Sequence, residues 1–593
     1  MSTKISSPKI ICLTIAVILG ILLGINTMST PQVVPVNSDE LSAERMLRHL
    51  NIIAAEQRSV LEFERRMYVR DYIIDVMEGY GLTVEIDDFE IDIPTYRHYW
   101  RRLREIRGWT AEQIYNAELG LGEETEWQRD LAGTVLRGSN LLFRQQGRND
   151  TAIMLVAHID SPSIGSSLNP ASNVHSLGAA DAGYGLTTML EIARHFAGQD
   201  LENSIYFLFT DLHEIGLWGA YFALENMDFS NVSMVLNLEA RGVRGPVLMF
   251  ETQANNYETM RFFRNALSAA NAQPMSNSAM TAVYRFVPNN TDLTLFINRG
   301  FNGMNFAPID SLFHYHTPQD SLEYISLTTM QHYINLVGAL VERFTSNPQY
   351  SNIDAFQSDR EGVFFPLPFQ GFVLYSDIIA MALGIIMLVA VIIAVFCLRA
   401  KAQVNFRNMG RWICLIIGAA LAAALLGLLI SFIVSLATGI RFGLFMPRVP
   451  HEMLIMWCSV VTALIGYCLL HRKFKKKFSR IEMAMGAMFL MALVVVFVGF
   501  VSAEATYSTF IPLVFAFACF GLSLMGQIKN NRWLMAICAS IPTVIAVMML
   551  IPSLIILTHA ITIGGLAAIM YSAILMCMAL PTLWRDDEDT VQW

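Results

Sequence analysis

In the stretch FTDLHEIGLWGA (209–220), His213 stands beside Glu214, two side chains that can bind a metal or move a proton. Other residues of the same kind recur at intervals. His158 and Asp160 close the run TAIMLVAHID, and Asp181 lies in the Gly-rich loop SLGAADAGYG. Asp211 closes the run before His213, Glu239 ends SMVLNLEA, and His316 and Asp320 lie in FHYHTPQDS. A single Asp after a strand is most often a helix cap. The ordered set instead offers nitrogen and oxygen ligands from several separate loops. All eight cysteines (Cys12, Cys397, Cys414, Cys458, Cys468, Cys519, Cys538, Cys577) lie in apolar segments, where Cys behaves as a small hydrophobe. Any metal must therefore be held by His and carboxylates.

These residues need a scaffold. The runs 151–160, 203–211 and 233–240 are short, apolar and bounded by turn-forming residues, as buried strands are. GLTTMLEIARHFAG (185–198) puts Leu186, Met189, Leu190, Ile192, Ala193 and Phe196 mainly on one helical face. Strands alternating with helices predict an α/β domain, a central mixed sheet flanked by helices. Ligands of such sheets gather beyond the carboxyl ends of the strands, where the candidate residues fall.

The 593-residue chain is 54% hydrophobic and 15% charged. Soluble domains carry about 25% charged residues, so much of this chain belongs in lipid. Apolar runs near 10–27, 372–398, 411–438, 452–471, 482–503, 507–526, 533–551 and 555–580 each approach the ~20 residues that a span needs. With eight spans, Lys4 and Lys9, the cluster Arg399–Arg411, the run HRKFKKKFSR, and Lys529 with Arg532 all fall on one side, as the positive-inside rule requires. The expected order is an anchor over 1–30, an exported domain over 40–350, a membrane domain of about seven helices over 372–580, and an acidic tail over 581–593. Both termini are then cytoplasmic and the domain is extracytoplasmic or lumenal. The first run could also be a cleaved signal peptide, but GINTMSTPQ shows no convincing cleavage site. Within the membrane part, Asp377 lies near a span end and His559 has no evident charged partner, so neither reads as a relay. A net charge of −9 provides no basic stripe and speaks against nucleic acid as a partner.

Residues 139–345 resemble the M28 family of co-catalytic zinc peptidases, in its membrane-anchored branch. The resemblance rests on His-x-Asp closing a strand (His158, Asp160), Gly-Ala-x-Asp (Asp181), an acidic position before Gly-Leu-x-Gly (Glu214), Asn-Leu-Glu (Glu239) and Tyr-His-Thr-x-x-Asp (His316, Asp320). It implies two zinc ions. One would be held by His158, Asp181 and Glu239, and the other by Asp181, Glu214 and His316, with Asp181 bridging. Each ion then keeps an open position, as catalytic zinc does. Asp160 would steady the His158 ring, and Asp320 would steady His316 or cap the next helix. The implied activity is that of an exopeptidase, an aminopeptidase hydrolysing short peptides with a water activated by the two zinc ions. The alternatives are a glutaminyl-cyclase-like acyltransferase with a single zinc, or a non-catalytic metal-binding receptor or scaffold.

Two departures from the family pattern stand out. Ala182 replaces the second residue of an Asp-Asp pair, and His213 replaces the Glu that acts as general base. His213 could serve as that base, add to or replace a ligand of one zinc, or mark a site that hydrolyses peptides poorly. Among the remaining histidines, His195 reads as solvated, His49, His98 and His332 fall outside the motifs, and His175 and His314 lie near ligand loops. The Arg- and aromatic-rich segment 94–130 could cover the cleft, meet lipid headgroups or form a solvated helix. Sequons at Asn149, Asn231 and Asn289 permit glycosylation in a eukaryotic host. Nothing in the sequence fixes the oligomeric state.

Overall fold

The computed structural model describes residues 7–585 apart from 107, 119–131, 164–174, 269–272, 286–289, 445, 447 and 475. The tail beyond 585, residues 119–130 of the 94–130 segment and the sequon at Asn289 therefore lie outside the described residues.

Seven strands form one mixed sheet: β1 (Val84–Ile93), β2 (Thr134–Gln145), β3 (Asn149–His158), β4 (Asn203–Thr210), β5 (Val232–Leu238), β6 (Arg244–Thr252) and β7 (Gly303–Asp310). Their order is β1-β2-β4-β3-β5-β7-β6. β4, β3, β5 and β7 run parallel, while β1, β2 and β6 join antiparallel at the edges. Every residue of β4 and β5 is buried, which is why both read as unbroken apolar runs. Helices 43–53, 183–196 and 327–345 pack on one face, and helices 218–226 and 292–298 on the other. The predicted helix over 185–198 is observed at Gly183–Phe196.

Seven helices among the described residues are long and apolar enough to cross a membrane, the first being Pro8–Asn26. Two details differ from expectation. The run 507–526 forms Tyr507–Ser523, whose 17 residues lie at the short end of what hydrocarbon requires. The expected break near 552 is absent, because helix Arg532–Ala560 continues through Pro542 and Pro552 and the chain turns at 561–565 instead. Proline is tolerated inside such a helix when neighbouring helices and hydroxyl side chains re-satisfy the backbone.

Helix 7–26 lies along helix 532–560. Gly20 and Gly24 permit the approach: a Cβ on Gly20 would stand 2.7 Å from Val547 Cβ. At one end Lys9 Nζ donates to the Trp584 carbonyl at 2.7 Å, so the two ends of the described chain meet on one side of the bundle. At the other, Asn26 Oδ1 accepts from the Phe369 N–H at 2.8 Å, in the turn between the short strands β8 (Gly362–Leu367) and β9 (Gly371–Ser376). His559, expected to lack a charged partner, has Asp310 Oδ1 3.7 Å from its Nε2. The partner comes from the end of β7, a contact between distant parts of the chain that spacing does not reveal.

Candidate metal centre and active site

Parallel pairing brings the carboxyl ends of β3, β4 and β5 together, and with them most of the candidate residues. His158 ends β3. Its Nδ1–H donates to the Asp160 carbonyl at 2.9 Å, leaving Nε2 as the atom with a lone pair to offer. That Nε2 lies 3.3 Å from Asp181 Oδ1 and 3.7 Å from Glu239 Oε2. His316 Nε2 lies 3.3 Å from Asp181 Oδ2 and 3.1 Å from Glu214 Oε2. Asp181 thus stands between two clusters, one oxygen toward each. His158, Asp181, Glu239 and His316 are all buried.

The supporting contacts are more specific than the sequence suggests. The ring of His158 is steadied mainly by the backbone of Asp160, whose carboxylate Oδ1 is farther off at 3.5 Å. That carboxylate instead takes the backbone N–H groups of His213 and Glu214, both at 3.0 Å, and sets the position of the loop after β4. Asp320 does not cap the next helix, which Ser326 caps. It accepts the N–H groups of Ala180 at 2.7 Å and Asp181 at 3.2 Å. Burial pushes the Asp320 carboxyl up, and the nearby Asp181 adds to this, to about 7.

Asp211 falls outside the site. It pairs with buried Arg66 at 3.0 Å and takes the Ser139 N–H at 3.2 Å. His175 meets Gln57, His49 meets Tyr72, and His332 is buried between Val247 and Gln273. Helix Tyr96–Ile106 packs Tyr99 and Leu103 against Ile215 and Trp218, beside the loop that carries His213.

Two residues emerge only from the fold. Arg58 is fully buried and donates to the carbonyls of Ile159 (2.6 Å), Gly178 (2.9 Å) and Leu177, tying together the loops that carry His158 and Asp181. Asp292 accepts from His213 Nδ1 at 2.8 Å. Arg58 precedes the region of resemblance, and Asp292 sits in VPNNTDLTLF, which carries the Asn289 sequon but no metal or catalytic motif. Neither position gives a sequence signal.

His213 lies flat on His158, with ring centroids 4.0 Å apart and planes 7° from parallel. Its Nε2 points toward Glu239, 3.7 Å from Oε1. Ligand atoms of His158, His213 and Glu239 all lie within 4.8 Å of one another, as do those of His158, Asp181 and Glu214. Burial and the neighbouring His158 lower the His213 pKa, but Asp292 and Glu239 outweigh them and push it up to about 9. For His316 burial is likewise opposed, by Glu214 and Asp181, and the result is about 10. Three carboxylates share this buried space, and protons on these histidines join the Arg58 guanidinium near Asp181 as counter-charge.

The donor set fits a divalent metal. His158 Nε2, Asp181 Oδ2 and Glu214 Oε1 are buried atoms with no hydrogen-bond partner, and all three belong to the clusters around Asp181. Imidazole nitrogen with carboxylate oxygen, and no thiolate, is the ligand chemistry of hydrolytic zinc.

A mixed sheet with imidazoles and carboxylates converging at its strand ends defines a metallohydrolase type of domain. Residues 140–341 match the model for Peptidase family M28. The chain is similar to the vacuolar membrane proteases of Candida glabrata (26% identity over 263 residues, 42% of this chain) and Schizosaccharomyces japonicus (28% over 244 residues, 38% of this chain). The matched stretch spans 25% and 27% of those two relatives, about a quarter of their length. Among solved structures, a zinc aminopeptidase from Bacillus subtilis aligns at 15% identity and TM-score 0.38, over 54% of this chain and all of that one. A glutaminyl cyclase from Porphyromonas gingivalis aligns at 15% and 0.38, over 51% of this chain and 98% of that one.

Proposed function

We propose that the chain is a membrane-anchored, zinc-dependent exopeptidase, an aminopeptidase acting on short peptides, with His213 as general base. The observation that carries this reading is the pair of clusters sharing Asp181. His158, Asp181 and Glu239 would hold one zinc, and Asp181, Glu214 and His316 the other. When bound, zinc supplies Lewis acidity toward a peptide carbonyl oxygen and makes water a stronger acid.

The protein's own groups would do the rest. His213 Nε2 accepts a proton from the attacking water and returns it to the leaving amine, the two-way proton transfer of general acid–base catalysis. Glu239, one of the two carboxylates that raise the His213 pKa, is neutralised in its effect once it binds a cation, which favours the neutral imidazole that a base requires. A ligand role for His213 is less compatible with turnover. It would give the first metal four protein donors, and four donors close a tetrahedral site.

The peptidase unit covers 40–350 and the membrane unit 372–580. Both termini face the cytoplasm and the peptidase domain faces outward or into a lumen, because the basic clusters within 399–411, 471–480 and 529–532 fall on the terminal side, against Arg441 and Arg448 on the other. The Lys9–Trp584 contact is consistent with both ends sharing a side.

The test uses the purified full chain. About two zinc ions per chain, and release of N-terminal residues that a chelator abolishes, are expected. Metal content near zero in carefully prepared protein would sink the reading. Conversion of Gln-initiated peptides to pyroglutamyl products without hydrolysis would replace it with an acyltransferase.

A further inference from the structure

We infer that Asp292 is the positioning residue for His213, fixing its ring as the Nδ1–H tautomer so that Nε2 carries the lone pair facing the metal cluster. The catalytic consequence rests on the reading of His213 given above.

Asp292 uses both carboxylate oxygens. Oδ1 lies 2.8 Å from His213 Nδ1, and Oδ2 accepts the Thr210 hydroxyl at 2.6 Å. Thr210 is the last residue of β4 and is fully buried, as is Asp292 itself. A carboxylate accepts only, so the nitrogen facing it must carry the proton. The other tautomer would set an imidazole lone pair against a buried carboxylate oxygen at 2.8 Å, where both are acceptors and no water intervenes to relieve them.

A structural role alone explains this arrangement poorly. Asp292 is the first residue of helix 292–298, a position where Asp commonly serves the helix end. Here that work is done by its neighbours. Thr291 and Thr294 form a reciprocal capping box, with the Thr291 N–H donating to Thr294 Oγ1 at 3.0 Å. The Asp292 side chain is turned away from the helix end and toward β4. Leu293 and Phe296 anchor the same helix in the core, so the carboxylate stands on a rigid support. His158 covers one flat side of the His213 ring, and Asp160 holds its backbone N–H at 3.0 Å. Ring plane, ring rotation and tautomer are thus set by three different residues. Such support is what a proton-transferring imidazole needs to act on one atom in one direction.

The experiment labels the histidines of the zinc-loaded full chain with nitrogen-15 and assigns His213 by the signals lost in His213→Ala. A protonated Nδ1 and an unprotonated Nε2 are expected in the wild type. That pattern should give way to mixed or Nε2–H signals in Asp292→Ala, and in Asp292→Asn should the alanine variant fold poorly. An Nε2–H ring in the wild type, or an unchanged Nδ1–H ring in the Asp292 variant, overturns the inference. With a peptide substrate, Asp292→Asn should lower kcat by about 10–100-fold at nearly constant KM. It should add nothing in a His213→Ala background. Additive losses would show that Asp292 acts on something other than His213. If the tautomer follows Asp292 while no peptide is turned over, the positioning role stands and the peptidase reading falls.

Discussion

Asp320 holds Asp181 by its backbone: the Asp320 carboxylate receives the Asp181 N–H at 3.2 Å and the neighbouring Ala180 N–H at 2.7 Å. Asp181 is the residue that faces both His158 and His316, so any slack in its loop is felt at both clusters. Removing Asp320 leaves two buried N–H groups without acceptors. Asp320→Ala should weaken zinc retention by about 10–100-fold, the range for groups that support a ligand from outside. Chelator competition with metal analysis measures this. Asp320→Asn, which keeps one acceptor oxygen, should fall between. Wild-type zinc affinity in the alanine variant would show that the loop holds its shape without the carboxylate.

Gly178 turns the same loop at φ 58°, a left-handed conformation that costs other residues about 1–2 kcal/mol. A Cβ there would also stand 2.3 Å from the Asp181 carbonyl oxygen and 2.9 Å from Ser161 Cβ. The carbonyl is backbone and cannot swing aside, so the loop itself must move. Gly178→Ala should therefore release zinc more readily and lower the unfolding temperature. The same change at Gly198, also left-handed but with open space around it, should cost stability without touching metal content.

The ligand loops were legible because strand ends in an α/β sheet are where polar residues gather, and apolar runs mark the strands. His158, Glu214 and Glu239 stand at or just beyond the ends of β3, β4 and β5, and longer loops bring Asp181 and His316 to them. Arg58 and Asp292 were not legible. Each acts through a contact more than 75 positions away in the sequence, to a backbone carbonyl or to a histidine, and a lone Arg or Asp in an ordinary helix-flanking stretch carries no pattern. That the carboxylates of Asp160 and Asp320 also accept backbone N–H groups was not legible either, because backbone donors have no sequence signature. The break expected between the runs 533–551 and 555–580 is not there, because Pro552 sits inside helix 532–560.

His332 supplies a pH prediction independent of the metal centre. The Val247 N–H donates to its Nδ1 at 2.8 Å and its Nε2–H donates to the Gln273 carbonyl at 2.9 Å, an arrangement that only the neutral ring can make. Burial drives its pKa down to about 4 from an ordinary 6.5. The unfolded chain therefore takes up this proton first as pH falls. The stabilisation is complete above pH 6.5 and is lost progressively between 6.5 and 4, to a limit of about 3 kcal/mol. His332→Gln should lower stability at neutral pH and flatten the acid loss across that window. Chemical denaturation at pH 7, 5.5 and 4.5 measures it, and equal acid losses in the two proteins would exclude His332 as a source.

The last prediction separates the roles open to His213. As general base, it leaves the metal ligands intact when removed, so His213→Ala should lower kcat by roughly 10²–10⁴ with zinc content unchanged. As a ligand alongside His158 and Glu239, its removal should release zinc and activity together. His213→Glu discriminates further. A carboxylate reaching the same space can accept a proton, so a base role predicts retained turnover. It would also face Asp292 with a second negative group where the imidazole N–H now donates at 2.8 Å, and that repulsion should make His213→Glu less active than Asp292→Asn combined with it. An active site already impaired by histidine gives the opposite result, with His213→Glu far above the wild type. An alanine variant with unchanged kcat and unchanged zinc would remove His213 from both roles, leaving its stack on His158 as a packing contact.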